Sequence, residues 1–385
     1  MKLVNDFDPS AFIEVVFLKR PAGKWDRELL NTGTLFLSEM NQFVDQADPR
    51  TLVKERPKFL CAALGLLSQI SYDALGGQSR RHEVGRAGAL LSLLTKIDDQ
   101  VIDSPDFHGG CALSFEEAQQ KTRDYLAPTL ESIKTGKPAN TEARCLLAAM
   151  LGGEIRALSG ESKTRFNQVI EWIEFGWSVQ SRAVATLSRH SADISQDSVN
   201  QVTRDISGAW LLMIAAIGSL PSDAHRMFTA SEVDAFFQFG WHIQRADALA
   251  DMAKDLADGL ISSYPDRLLY SLNPVKYENC LSLKLAEPIY AICREMGIDI
   301  LCLPSPEELI SSEQEMAQLG DLPDLLNWIH GFLTWRYLIH PFSQRSIEDK
   351  AFQPFMSRKK DYINYLQDGP QEFPKSHTRS LVLGS

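Results

Sequence analysis

The sequence predicts an all-α fold. Apolar residues recur at three- and four-residue spacing along most of the chain. Period-two alternation and Asn-Gly hairpin turns are missing, and Pro, Gly and Ser clusters fall at intervals that suit helices.

The segments follow in order. Lys58–Tyr72 is apolar almost all round, and "GGQS" separates it from Arg81–Val101, which carries the run "AGALLSLLT" (87–95). Phe115–Thr135 ends at "GKPAN", Asn140–Leu158 ends at "LSGES", and Lys163–Leu187 follows. Ser198–Ser219 closes at "SLPSD" and Ala230–Asp258 leads to "SSYPD". Pro288–Met296 and Leu322–Ile339 flank "LPSPEE". No fixed-period repeat and no Gly/Ser/Pro linker divides the chain, so one all-α domain is expected over residues 56–367. A helical extension over 1–55 precedes it, and a loosely held polar tail, 368–385, follows.

Composition narrows the function. With 44% hydrophobic and 23% charged residues the chain is globular, and a net charge of −11 argues against a nucleic-acid partner. The six cysteines are scattered without CxxC pairs, which fits buried thiols in a reducing compartment. The opening "MKLVNDFDPS" lacks the layout of a secretory signal, and the longest apolar run, Ala209–Gly218, is too short to span a bilayer. A soluble, cytoplasmic protein is expected. HExxH, GxGxxG after a strand, the P-loop and GxSxG are absent, which leaves zinc hydrolysis, dinucleotide-fold dehydrogenation and triad chemistry without support.

Two acidic clusters interrupt apolar helices. "IDDQVID" (97–103) sets Asp99 and Asp103 four residues apart on one helical face, with Asp98 about 100° around. In "FGWHIQRADALADMAKDLADGLISSYP" (239–265), Asp247, Asp251 and Asp255 recur at four-residue spacing. Short carboxylates at helical spacing suit Mg²⁺, which takes oxygen ligands, keeps several waters and binds through carboxylates plus substrate phosphates. Two such stripes facing each other repel until cations lie between them.

A DxxxD at the end of an apolar helix, followed far downstream by a second one, resembles the squalene/phytoene synthase family, the head-to-head trans-isoprenyl diphosphate synthases. "DQVID" matches the first motif, and "RRHEVGRAGALLSLLTKID" resembles the arginine-containing helix before it. The stretch 239–265 looks like the second motif through Gly240, Gln244, Asp251, Asp255, Gly259 and Pro265, and "DISGAWLLMIAAIGSLP" resembles the helix with a VAG-like segment. Three departures stand out. Val202 and Thr203 occupy positions where the family has tyrosine and cysteine, Asp247 stands where it has asparagine, and the chain is longer than typical members. The Asp247/Asp251/Asp255 stripe also resembles bacterial large-terpene synthases of the same fold.

The resemblance implies an isoprenoid-synthase helical bundle with a central cavity. In it, two to three Mg²⁺ ions on Asp99 and Asp103, and on Asp251 and Asp255, bind an allylic prenyl diphosphate and drive its ionisation. Asp98 and Asp247 join the metal-ligand candidates. Arg86, Arg81, Arg80, Arg245 and Lys254 are candidates for the diphosphate clamp, with Arg86 preferred because it sits inside the apolar helix. Gln244 and Trp210 are further substrate-binding candidates. Trp177, Phe175, Met213, Phe236, Phe237 and Trp241 join Trp210 as candidate cavity walls. Coupling of two prenyl chains is expected; the alternatives are cyclisation of one chain and a non-catalytic scaffold. The squalene branch uses NADPH without a Rossmann motif, so NADPH stays open, and an apolar product suggests peripheral membrane contact on release.

Overall fold

The computed structural model describes residues 24–47, 55–102, 107, 113–187, 196–241, 244, 321, 322 and 325. Helices α1 (Lys24–Ala47), α2 (Glu55–Ala74), α3 (Arg81–Ile102), α4 (Phe115–Thr135), α5 (Ala143–Ser159), α6 (Lys163–Leu187) and α7 (Gln196–Ala216) are joined by a 3₁₀ turn, Ile217–Ser219, to α8, described over 230–241. Among the described residues there is no strand, and the fold is all-α as expected. None of their helices is long and apolar enough to cross a membrane. The expected helix Pro288–Met296, most of Leu322–Ile339 and the end of Ala230–Asp258 lie outside the described residues.

Local chemistry sets the helix ends. Ser114 and Glu117 form a capping box at the start of α4, each side chain bonding the other's backbone N–H, and Gly136 closes the helix in the left-handed region. α2 and α3 pack along much of their length: a Cβ on Gly65 would lie 2.4 Å from the carbonyl oxygen of Gly85. Only glycine allows that approach. The same core takes in Phe36, Met40 and Val44 from α1, Leu66 and Leu67 from α2, Leu90 and Leu94 from α3, and Leu211 and Ile214 from α7. The boundary expected at residue 55 therefore falls between two helices that share one core.

The α2–α3 turn is braced by the loop that follows the 3₁₀ turn. Tyr72 Oη donates to Asp223 Oδ2 at 2.5 Å and accepts the backbone N–H groups of Gln78, Ser79 and Arg80, each at 3.0 Å. Asp223 Oδ2 also accepts from Ser79 Oγ at 2.6 Å and Ser79 N at 3.2 Å. Burial alone would raise the Asp223 carboxyl, but bonds from Ser79, Tyr72 and the backbone N–H groups outweigh it and hold the group well below the usual carboxylate range. The carboxylate thus covers orphan donors at the start of α3. Tyr72→Phe strands these groups and is expected to cost about 1–3 kcal/mol in urea unfolding. Because Asp223 is depressed, its contribution is present above the unfolded carboxylate range and fades as pH falls through that range and below.

Candidate functional site

The last turns of α3 carry the first acidic cluster, and neighbouring carboxylates there face different surroundings. Asp98 is 2% exposed and points among α4, α5 and α6, where Tyr125, Arg144 and Trp177 surround it. Trp177 and Tyr125 face the carboxylate as donors short of full hydrogen-bond geometry, and Arg144 Nη1 stands 3.8 Å from Oδ1. The guanidinium is engaged elsewhere. It donates to the Tyr125 carbonyl, to Thr129 Oγ1 at 3.3 Å and to Glu142 Oε2 at 2.5 Å, and lies 3.7 Å from the Tyr125 ring centroid. Burial pushes the Asp98 carboxyl up to about 7, and Arg144, Trp177 and Tyr125 offset only part of that shift. Burial and the facing Asp98 also push the Tyr125 phenol up.

Asp99 faces a wetter environment, with its side chain 28% exposed. Lys96 Nζ pairs with Oδ2 at 2.6 Å, and Gln180 Nε2 on α6 donates to Oδ1 at 3.3 Å. Both oxygens are thus oriented. Asp103, Asp247, Asp251, Asp255, Arg245 and Lys254 lie outside the described residues.

Arg86 and Arg81, expected at the clamp, pair with carboxylates away from the first acidic cluster. Arg86 Nη2 pairs with Glu154 at 2.6 Å and Nη1 lies 3.7 Å from Glu39, which also meets His82 at 3.1 Å. Twelve residues separate Arg86 from Asp98, roughly 18 Å of helical rise, so the two occupy different levels of the bundle. Arg81 lies further back and pairs with Asp73 at 2.9 Å. Among the described residues, the cation paired with Asp99 is Lys96.

A sequence of polar contacts crosses the bundle at the Asp99 level. α6 and α7 run antiparallel: Arg165 near the start of α6 donates to Ser219 O at 2.8 Å, a Cβ on Gly176 would lie 2.2 Å from Met213 Sδ, and Arg182 pairs with Asp205. Gln180, which bonds Asp99, and Arg182 differ by about 3 Å of rise, as do Asp205 and Ser207 in the opposite sense. Ser207 Oγ in turn donates to Gln244 Oε1 at 2.6 Å. Asp99 and Gln244 therefore sit at one level.

The apolar candidates divide. Met213 and Phe236 are fully packed core, Trp177 flanks Asp98, Trp210 is half-buried against the core, and Phe175 stacks edge-on with Phe237 while 42% exposed. Among the described residues, no three His, Cys, Asp or Glu side chains gather as a metal site. Sequence reasoning missed Lys96, Gln180, Arg144 and Ser207. A lone arginine in the apolar stretch "ARCLLAAMLGG" was a usable signal for Arg144; Gln180 and Ser207 carry none. In comparison with known proteins, no family model matches the chain, and no curated protein matches it.

Proposed function

We propose that the chain is a Mg²⁺-dependent isoprenoid synthase that ionises an allylic prenyl diphosphate and couples two prenyl chains. The observation that supports this reading is the set of contacts across α3, α6 and α7 to Gln244, which puts Asp99 and Gln244 at one level. Asp99 fits a hard cation: it is a partly exposed oxygen donor whose existing partners are a lysine and a neutral amide. Asp99 and Asp103, with Asp247, Asp251 and Asp255, would hold the ions, which neutralise the charge developing on the departing diphosphate. Lys96, with Arg245 and Lys254, is assigned to the diphosphate oxygens. Arg86 and Arg81 are assigned to bracing the bundle through their ion pairs. Trp177 and the surrounding apolar packing keep water from the reacting end of the prenyl chain. The protein works in the cytoplasm, with peripheral membrane contact when an apolar product leaves.

Incubation with geranyl, farnesyl and geranylgeranyl diphosphate tests the reading. Diphosphate release is expected with Mg²⁺ or Mn²⁺ and is expected to stop in excess chelator. Undiminished turnover in chelator would remove the metal, and no release under any condition would favour a scaffold. Asp247 within the second stripe favours a competing use of the same site, cyclisation of one chain. Mass spectrometry separates the two, since coupling of two identical chains doubles the carbon count and cyclisation preserves it.

A further inference from the structure

The geometry points to Ser207 as a positioning residue: its hydroxyl turns the side-chain amide of Gln244 so that the NH₂ group donates to a diphosphate oxygen of the substrate. This rests on the function proposed above. Ser207 is 7% exposed on α7, and its hydroxyl donates to Gln244 Oε1 at 2.6 Å. A primary amide has an acceptor end and a donor end on opposite sides, so holding the oxygen decides where the nitrogen points. Gln244 Nε2 has no acceptor among the described residues.

The arrangement is held by backbone contact. A Cβ on Gly240 would lie 2.1 Å from Gly208 N, so the helices touch one residue from Ser207 and one turn before Gln244. Little freedom remains for the amide to re-aim by sliding the helices apart. Through Arg182–Asp205 and Gln180–Asp99, the donor also shares its level with the first motif. A neutral donor suits this place, because it can bind phosphate oxygen without pairing with the carboxylates that the metal needs.

The test uses the full-length chain and two readouts, steady-state kinetics with farnesyl diphosphate and Mg²⁺, and calorimetric binding of inorganic diphosphate with Mg²⁺. S207A is expected to raise KM and the inorganic-diphosphate Kd about 3- to 10-fold while kcat changes less. S207C, which keeps a weak donor, is expected between S207A and wild type. Q244E keeps the acceptor for Ser207 but loses the donor, so it should bind diphosphate more weakly than S207A. In the Q244L background, S207A should add nothing, because the two residues act as one unit. Wild-type behaviour of S207A, or effects of S207A and Q244L that add, would overturn the Ser207 assignment while leaving the proposed function standing. A wild-type protein that neither binds inorganic diphosphate nor turns over would overturn both.

Discussion

Asp99→Asn is expected to lower diphosphate release by roughly 10³-fold, about 4 kcal/mol of transition-state stabilisation, while the helical circular dichroism is unchanged. An amide keeps the size of the side chain and the contact with Gln180 but surrenders the charge that Mg²⁺ requires. Asp251→Asn on the downstream stripe is expected to fall equally far. The informative comparison is Arg86→Gln. Its guanidinium bonds Glu154 and faces Glu39 at a different level of the bundle, so kcat and KM should stay near wild type. Its cost should appear in urea unfolding, about 1–2 kcal/mol, as part-buried Glu154 loses the guanidinium and Glu39 is left with His82. Near-normal turnover by both aspartate variants would reduce the clusters to solvated faces. A collapse of kcat in Arg86→Gln would return that residue to the clamp.

What the sequence made legible was whatever local chemistry decides. The bounds of α4 and α6 agree with those read from Gly, Pro and Ser punctuation, because caps and breakers act within a few residues. α1 was not resolved as a helix inside the extension. Asn31, Thr32, Gly33 and Thr34 interrupt it with weak helix formers, although Trp25, Leu29, Phe36, Met40 and Val44 mark a buried stripe around them. Burial against α2 overrides the propensity. The first acidic pair was legible as spacing, but the fate of each carboxylate was not. Asp98 and Asp99 differ by about 100° of rotation, and only the positions of α4, α5 and α6 decide which one turns inward. Arg86 was favoured because an arginine inside an apolar helix suggests function. Its partners turned out to be Glu39 on α1 and Glu154 on α5, far apart in sequence. Gln180 and Ser207 were invisible for the same reason: their roles come from residues on other helices.

Asp98→Asn is expected to stabilise the protein at neutral and alkaline pH, a direction opposite to most buried polar substitutions. The carboxyl is buried with Trp177 and Tyr125 as poorly aligned donors, and the nearest cation among the described residues stands 3.8 Å away with other acceptors to serve. Burial raises its folded value to about 7, whereas an unfolded aspartate titrates near 3.9. Between those values the folded chain holds the proton that the unfolded chain releases. Stability therefore falls as pH rises from about 4 to about 7, and the full penalty remains above that. The penalty is on the order of 2–4 kcal/mol at pH 8. An asparagine carries no charge and escapes it, and its amide still occupies the same space beside Tyr125 and Trp177. Urea denaturation of both proteins from pH 4 to pH 8 measures this: the wild type should lose stability across that interval relative to the variant, and the two should converge at the acidic end. Arg144→Met supplies the converse. It removes the nearest cation to Asp98 among the described residues and leaves the buried carboxyl with only neutral donors, so it should cost about 3–5 kcal/mol at pH 8 and less at pH 4. A wild type that gains stability between pH 4 and pH 7 relative to Asp98→Asn would mean that Asp98 is ionised and well paired in the fold, and the poorly partnered carboxyl would have to be abandoned.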